Sequence, residues 1–502
     1  MISKLIKFKF GKYALARLLW LRSMVCLFCL FPAMAQTPIV SEYKLDNGIR
    51  VLIAPRPGCG AIHAAWFVEG GRWDTGDYPP ETADLLLAAW FADSGPTAIS
   101  AALGMWMKAS AGGISSGRDI AAGALEAWCS AEMRRFMQVL RQEQIDSARR
   151  FLQSQWQEPD PMAELHAMMP NGNNFTAYVQ KNVASLVSIS TADLQALAGK
   201  YAVADRVMIV LVGDVEDTQA ISILNACFGP LAHSDAHSSK PVDAPQSNVS
   251  GQRPPEERKR EISSKTRTEV LTVWPVPLSL NDNKPSLELF AEILAGGPDS
   301  GLTRHLVSEL GYSDSVQTSV SVSRYSTSLF VIRADVTEGH TVHEVESAIQ
   351  SEVQRSLHYR LQDTEINRAA QRLETKYALR LADAPGMAQA LIDAHENIGD
   401  WGLIERTPGG VNLEPQVLTF VLRSIFQPES SYSLLLEQDP IRSPRSLEEA
   451  RLVSLLARLL ENNVSDPTQR ESIIRETVRQ FGQTPRETRG QLFSLLEARV
   501  GH

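Results

Sequence analysis

A polar stretch in the middle of the chain limits the possible folds more than any other feature. From Ala232-His-Ser-Asp-Ala-His-Ser-Ser-Lys-Pro through Gln252-Arg-Pro-Pro-Glu-Glu-Arg-Lys-Arg260 the sequence is rich in Ser, Pro and charge and nearly free of apolar residues. That is the composition of a flexible linker. The segments on either side are of similar size and run through a similar order of elements. At 502 residues the chain is too long for a single core. The expected organisation is therefore two units, residues 36–232 and 263–440, joined by a linker over 233–262 and followed by a helical tail over 441–502.

The first unit opens with strands over 48–54 and 62–68, the second almost continuously apolar. Helices are expected over 82–92 and 99–109, the latter ending at Gly112-Gly113, and a long helical tract over 131–157. Ser190-Thr-Ala-Asp193 caps a helix that ends at Tyr201, its hydroxyls satisfying free N–H groups of the first turn. A strand over 206–214 and a helix to Cys227 close the unit. In the second unit a strand over 268–275 leads to a helix over 284–294. Strands over 315–323 and 328–335 alternate polar and apolar residues, helices over 342–357 and 363–381 follow, and a strand over 432–437 ends the unit. Strands interleaved with long helices at unequal spacing give a layered α+β unit, present twice.

Composition narrows the function. With 44% hydrophobic and 21% charged residues and a net charge of −9, the chain has no basic surplus with which to neutralise phosphates, so a nucleic-acid partner is not expected. Residues 1–35 differ from the rest. Lys4, Lys7, Lys9, Lys12, Arg17 and Arg22 precede the apolar run Met24-Val-Cys-Leu-Phe-Cys-Leu-Phe31, and Pro32-Ala-Met-Ala35 supplies small residues. The segment reads as a secretory signal cut before Gln36, which predicts export to the periplasm or beyond and no membrane association of the mature chain. Cleavage leaves Cys59, Cys129 and Cys227. An odd number in an oxidising compartment leaves at least one thiol free or paired elsewhere. A Cys59–Cys129 bridge stays open, and three separate thiols are the simpler reading.

Several phrases carry a family resemblance. Leu45-Asp-Asn-Gly-Ile-Arg-Val-Leu-Ile53 is followed by a Gly-rich loop from Gly70 and then by a helix, and the order resembles the opening of a pitrilysin-type (insulinase-like) zinc peptidase half. Val212-Gly-Asp-Val215 and Phe228-Gly-Pro-Leu231 fit the end of such a half. Leu294-Ala-Gly-Gly-Pro-Asp-Ser300 through Val316 fits, without a gap, a phrase of the family's second half. The resemblance covers nearly the whole mature chain except the tail from Arg445. It implies an α+β fold of two homologous halves, each a mostly antiparallel sheet layered with helices, as in mitochondrial processing peptidase-like members.

The resemblance also says which chemistry to look for. The family's helix carries H-x-x-E-H, two His four apart on one face as zinc ligands and a Glu that activates zinc-bound water. Laid on A-H-L-L-E-H-M, this chain reads Ala83-Asp84-Leu85-Leu86-Leu87-Ala88-Ala89. Asp84 and Ala88 stand at the ligand positions and Leu87 at the base, and no His lies between His63 and His166 to take over. No zinc or other cofactor is expected. The family's substrate-gripping Arg and Tyr fall on Gly301 and Asp314, with Arg304 and Tyr312 nearby as substitutes by a local shift.

Other groups are weaker. His340-Thr-Val-His343-Glu344 and His395-Glu396 read as solvated faces, as does His358, and His166 with Glu164 can pair. No G-x-S-x-G occurs, and no Cys has a nearby His that would make it a nucleophile. Gly112-Gly113 and Gly296-Gly297 lack the Lys-Ser/Thr of a phosphate loop. The expected function is an exported, inactive homologue that partners an active H-x-x-E-H subunit and binds extended or unfolded peptide along a sheet edge. In related bacterial pairs one subunit brings zinc and the other the Arg/Tyr pair. The alternatives are a stand-alone, chaperone-like peptide clamp and, less readily, an active zinc endopeptidase with displaced ligands.

Overall fold

A computed structural model describes residues 40–94, 105–156, 160–169, 181–233, 258–264, 267–277, 284–325, 327–358, 361–405, 415–441, 444, 446–461, 463–482 and 486–500. Residues 1–39, which include the segment read as a secretory signal, residues 95–104 and most of the polar stretch lie outside them.

Strands β1 (Ser41–Lys44), β2 (Arg50–Pro55), β3 (Ala61–Glu69), β4 (Trp106–Ala109), β5 (Gly113–Ala121) and β6 (Val207–Gly213) form a first sheet in the order β1-β2-β6-β3-β5-β4. Strands β7 (Lys259–Ser264), β8 (Glu269–Val276), β9 (Val316–Ser321), β10 (Ser328–Asp335) and β11 (Tyr432–Gln438) form a second, ordered β7-β11-β8-β10-β9. Apart from β1 the two orders are the same pattern. In each, the last strand of the half slips in beside the first as the sheet's one parallel pair, β2–β6 and β7–β11, and every other pairing is antiparallel. The duplication expected from sequence is thus a duplication of topology.

The helices of the first half are α1 (Glu81–Phe91), α2 (Leu125–Met137), α3 (Gln142–Gln155), α4 (Pro161–Met168), α5 (Ser185–Ser188), α6 (Thr191–Tyr201) and α7 (Asp217–Phe228). Those of the second are α8 (Lys284–Ala295), α9 (Val342–His358), α10 (Asp363–Ala382), α11 (Ala384–Ile398) and α12 (Pro415–Ile425). The tail adds α13 (Leu447–Glu461), α14 (Pro467–Gly482) and α15 (Arg486–Val500).

Both faces of each sheet are covered, which is why central strands such as Val207-Met-Ile-Val-Leu-Val-Gly213 are apolar at every position and wholly buried. Alternate residues serve opposite cores. Val51, Ile53, Trp66, Val68, Ile209 and Leu211 pack inward against the first half's own helices. Leu52, Ala65, Phe67, Met208 and Val210 face the other way, onto Met387, Leu391 and Ile392 of α11, a helix from the second half. The exchange is reciprocal, because Leu271, Val273, Leu329, Val331 and Leu434 of the second sheet receive Leu165, Met168 and Met169 from α4 and its end. Each lent helix starts on an Asp N-cap (Asp160 or Asp383) with Pro in the first turn, a start signal that needs no neighbouring strand.

Three stretches differ from the sequence expectation. Residues 106–109, read as the end of a helix, are edge strand β4, because pairing with β5 outweighs the helix preference of Ala and Met. The tract 131–157 is two helices. Between them Leu140 is buried in the core and its N–H donates to Gln195 Oε1 (3.1 Å), which turns the chain. Lys259–Ser264, polar enough to pass for linker, is edge strand β7, and an edge tolerates polarity because one side meets solvent. The tail has its own core of Leu452, Leu456, Leu460, Ile474, Val478, Phe481 and Phe493. It leans on the second half through Arg479, paired with Glu261 of β7 (3.2 Å) and Glu437 of β11 (2.5 Å), and through Arg475, paired with Asp439 (3.3 Å).

Candidate functional site

The loop after β3 sets up the site. Gly70 and Gly71 take φ of 149° and 46°, and no side chain fits at either. A Cβ would come within 2.6 Å of the Tyr201 ring at Gly70 and within 2.3 Å of the Gly113 nitrogen at Gly71. This tight passage lets Arg72 N and Trp73 N donate to Ser110 O and Ala111 O (both 2.9 Å). Asp74, held by Lys200 and Arg206, anchors the far side. Arg72 is thereby turned back under α1.

All eleven residues of α1 are buried. Asp84 meets Arg72 in a two-pronged ion pair, Nε to Oδ2 at 2.7 Å and Nη2 to Oδ1 at 2.6 Å, with each side chain 9% exposed. The planar fork matches the carboxylate. Burial works against the Arg72 charge, but the Asp84 carboxylate outweighs it and holds the guanidinium above its usual pKa, with Glu81 and Asp160 adding to the effect. Glu81, also buried, accepts the Asn182 N–H (3.0 Å). One turn after Asp84, Leu87 and Ala88 are buried and offer no donor atom.

These residues do not fit zinc. A catalytic zinc needs three protein donors around one open position. Two of the family positions are hydrocarbon, and both oxygens of the third are spent on a guanidinium. Among the described residues no group of three or more His, Cys, Asp and Glu stands close enough to share a metal ion.

The second-half residues are similarly engaged. At Gly301 a Cβ would lie 2.4 Å from Glu352 Oε1, so a larger residue there needs that side chain to move. Asp314 is exposed. Arg304 lies on a π-helical turn, Thr303–Glu309, and pairs with Glu309 (3.3 Å). Tyr312 packs on the ring of His340 (centroids 4.7 Å apart).

The histidine groups part company. Glu344 is a helix cap, accepting from Thr341 N (2.7 Å), with His340 at 3.8 Å. Glu164 pairs with Arg260, while His166 is buried and its pKa falls to about 4, burial being the main cause. His395-Glu396, expected to be solvated, lies between the halves. The His395 ring packs edge-on against Phe67 (5.8 Å), and burial, then Arg50 and Arg324, bring its pKa to about 4. Glu396 is 3% exposed, accepts the Gly112 N–H (3.3 Å) and faces Lys108 (3.5 Å). Arg324 reaches Glu69 (3.3 Å), and the Tyr325 ring sits where a Cβ on Gly112 would be. The sequence reading missed this seam and Arg72. Its one local signal was Gly70-Gly71 beside an Arg.

Residues 188–373 match the family described as Peptidase M16 inactive domain. No curated protein sequence matches the chain. Among solved structures, a protease from Helicobacter pylori superposes with a TM-score of 0.63 at 14% identity, over 80% of this chain and 100% of that one. A peptidase M16 inactive domain from Pseudomonas fluorescens gives 0.63 at 14%, over 80% and 98%. A chain of Complex III2 from Candida albicans gives 0.62 at 12%, over 80% and 96%. At such identities the likeness is one of fold. With the matched segment and the duplicated sheet order taken together, the chain has the two-half fold of M16 peptidases and carries a segment of their inactive-domain family over residues 188–373.

Proposed function

We propose that the protein is an exported, catalytically silent pitrilysin-family subunit that partners an active zinc peptidase homologue and holds extended peptide for it. The observation that carries this reading is the buried Arg72–Asp84 pair, which ties up the one carboxylate left at the zinc positions. A cation is still bound between helix and loop there, but it is the protein's own and cannot activate water. The fold around it is kept, including half-buried edge strand β4, whose outer side pairs with no strand among the described residues and would offer backbone N–H and C=O groups to an added one. That one structural neighbour is a chain of a multi-subunit complex accords with a partner role.

The test has two arms. Elemental analysis of the purified mature chain should find zinc far below one equivalent and no chelator-sensitive peptidase activity, and stoichiometric zinc with such activity overturns the reading. A tagged chain should retain an H-x-x-E-H homologue from its own source and elute with it at the mass of a heterodimer. A chain that stays monomeric yet binds unstructured peptide is the stand-alone clamp instead. Amino-terminal sequencing of exported protein should begin at Gln36.

A further inference from the structure

Two of the three cysteines downstream of residue 35 face each other across a helix pair. Cys129 lies on α2 and Cys227 on α7, and these helices pack together. The neighbours bracket the pair: Trp128 and Phe228 bring their rings to 6.4 Å, and Ser130 Oγ lies 3.9 Å from Cys227 Sγ. Cys129 is fully buried in the first half's core, and Cys227 is half-buried against the same cluster. Burial, followed by the adjacent Cys227 sulfur, pushes the Cys129 thiol well above its ordinary pKa. Cys59, exposed in the turn between β2 and β3, donates to Ala61 O (3.1 Å) and takes no part.

We propose that Cys129 and Cys227 form a disulfide that clamps α2 to α7 once the protein meets a thiol–disulfide oxidant. The more accessible Cys227 reacts first. Its thiolate attacks the oxidant's disulfide, forming a mixed disulfide and releasing one thiolate. Cys129 then gives up its proton and attacks Cys227 Sγ, closing the internal bond and expelling the second thiolate. Two cysteine thiols lose two electrons, the oxidant's disulfide gains them, and both protons end on its thiols. The bond closes a loop of about a hundred residues, the size at which a cross-link restricts the unfolded chain strongly.

Purified full-length protein, reduced and then incubated with glutathione disulfide, supplies the test. Non-reducing peptide mapping should recover a peptide joining Cys129 to Cys227, lighter by two hydrogens than the sum of its parts, with Cys59 alkylated or glutathionylated. The oxidised protein should melt at least about 3 °C above the reduced one. Cys59→Ser should keep both effects and Cys227→Ser should lose both. Comparison of the two redox states of the unmutated chain keeps the test valid if a variant folds poorly. Alkylation of both Cys129 and Cys227 under denaturing conditions after oxidation overturns the proposal, as does glutathione held on Cys227 beside a reduced Cys129.

Discussion

Helices α1 and α8 occupy the same place in the two halves, each following the strand that sits third in the shared order, and they solve the same problem differently. In α1 Asp84 is clamped by a buried Arg72 on a wholly buried helix, and its neighbour Glu81 accepts the Asn182 N–H. In α8 two carboxylates remain: Glu288 beside Lys284 (3.1 Å) and Glu292 facing Arg372 (3.5 Å) and Lys376, cations that reach in from α10 and are partly exposed. A carboxylate at this place is held by an internal cation in both halves. Only in the first is the pair sealed from water, and sealing makes it costly to break and useless as a metal ligand.

The widest effect should come from Arg72→Ala, which strands Asp84 as an uncompensated buried charge. A loss of about 3–5 kcal/mol in urea unfolding is expected. The double change Arg72→Met with Asp84→Leu should recover most of it, and a single change within about 1 kcal/mol of wild type would dissolve the contrast with α8. Leu391→Ala, on the helix lent to the first sheet, should cost about 2–5 kcal/mol and speed proteolysis between the halves.

Acidity should separate two further regions with opposite signs. His166 and His395 titrate near 4 in the folded chain against an ordinary 6.5. Between those values the unfolded state binds more protons, so the stability they contribute is lost as pH falls from 6.5 through 4. Protection factors at α11, corrected for the pH dependence of intrinsic amide exchange, should fall over that range. Glu261 behaves the other way: its hydrogen bond with Glu437 raises it from 4.5 to about 7. The folded state then holds the extra proton, so its contribution is lost as pH rises from 4.5 through 7. Protection factors in α14, corrected for intrinsic exchange, should therefore fall toward neutral pH, and Glu261→Gln should flatten that response. The smallest effect is expected from Lys376→Ala, about 1 kcal/mol or less, because the Lys376 side chain is more than half exposed and Arg372 stays beside the buried Glu292.

What the sequence disclosed followed burial. Val207–Gly213 and Ala61–Glu69 are covered on both faces and read as strands on composition alone. Asp84, Leu87 and Ala88 were singled out because the flanking phrases set their register on the family motif. Edge strands β4 and β7 were not, since half their surface meets solvent and their residues carry no apolar period. Helix α11 escaped because its apolar face is matched to a sheet nearly two hundred residues away. The Arg72–Asp84 pair escaped for a subtler reason: twelve residues separate the partners, and only the two positive-φ glycines make them meet.

The lending of helices between halves has a consequence for how the chain is made. Synthesis proceeds from the amino terminus, and the outer face of the first sheet is complete by Gly213, yet its cover runs on to Ile404. A nascent first half therefore emerges with Leu52, Phe67, Met208 and Val210 bare until nearly two hundred more residues have left the ribosome. Expressed alone, either half should be insoluble or bound to chaperones. Co-expression of 40–233 with 258–500 should restore both, because each fragment carries the other's missing lid.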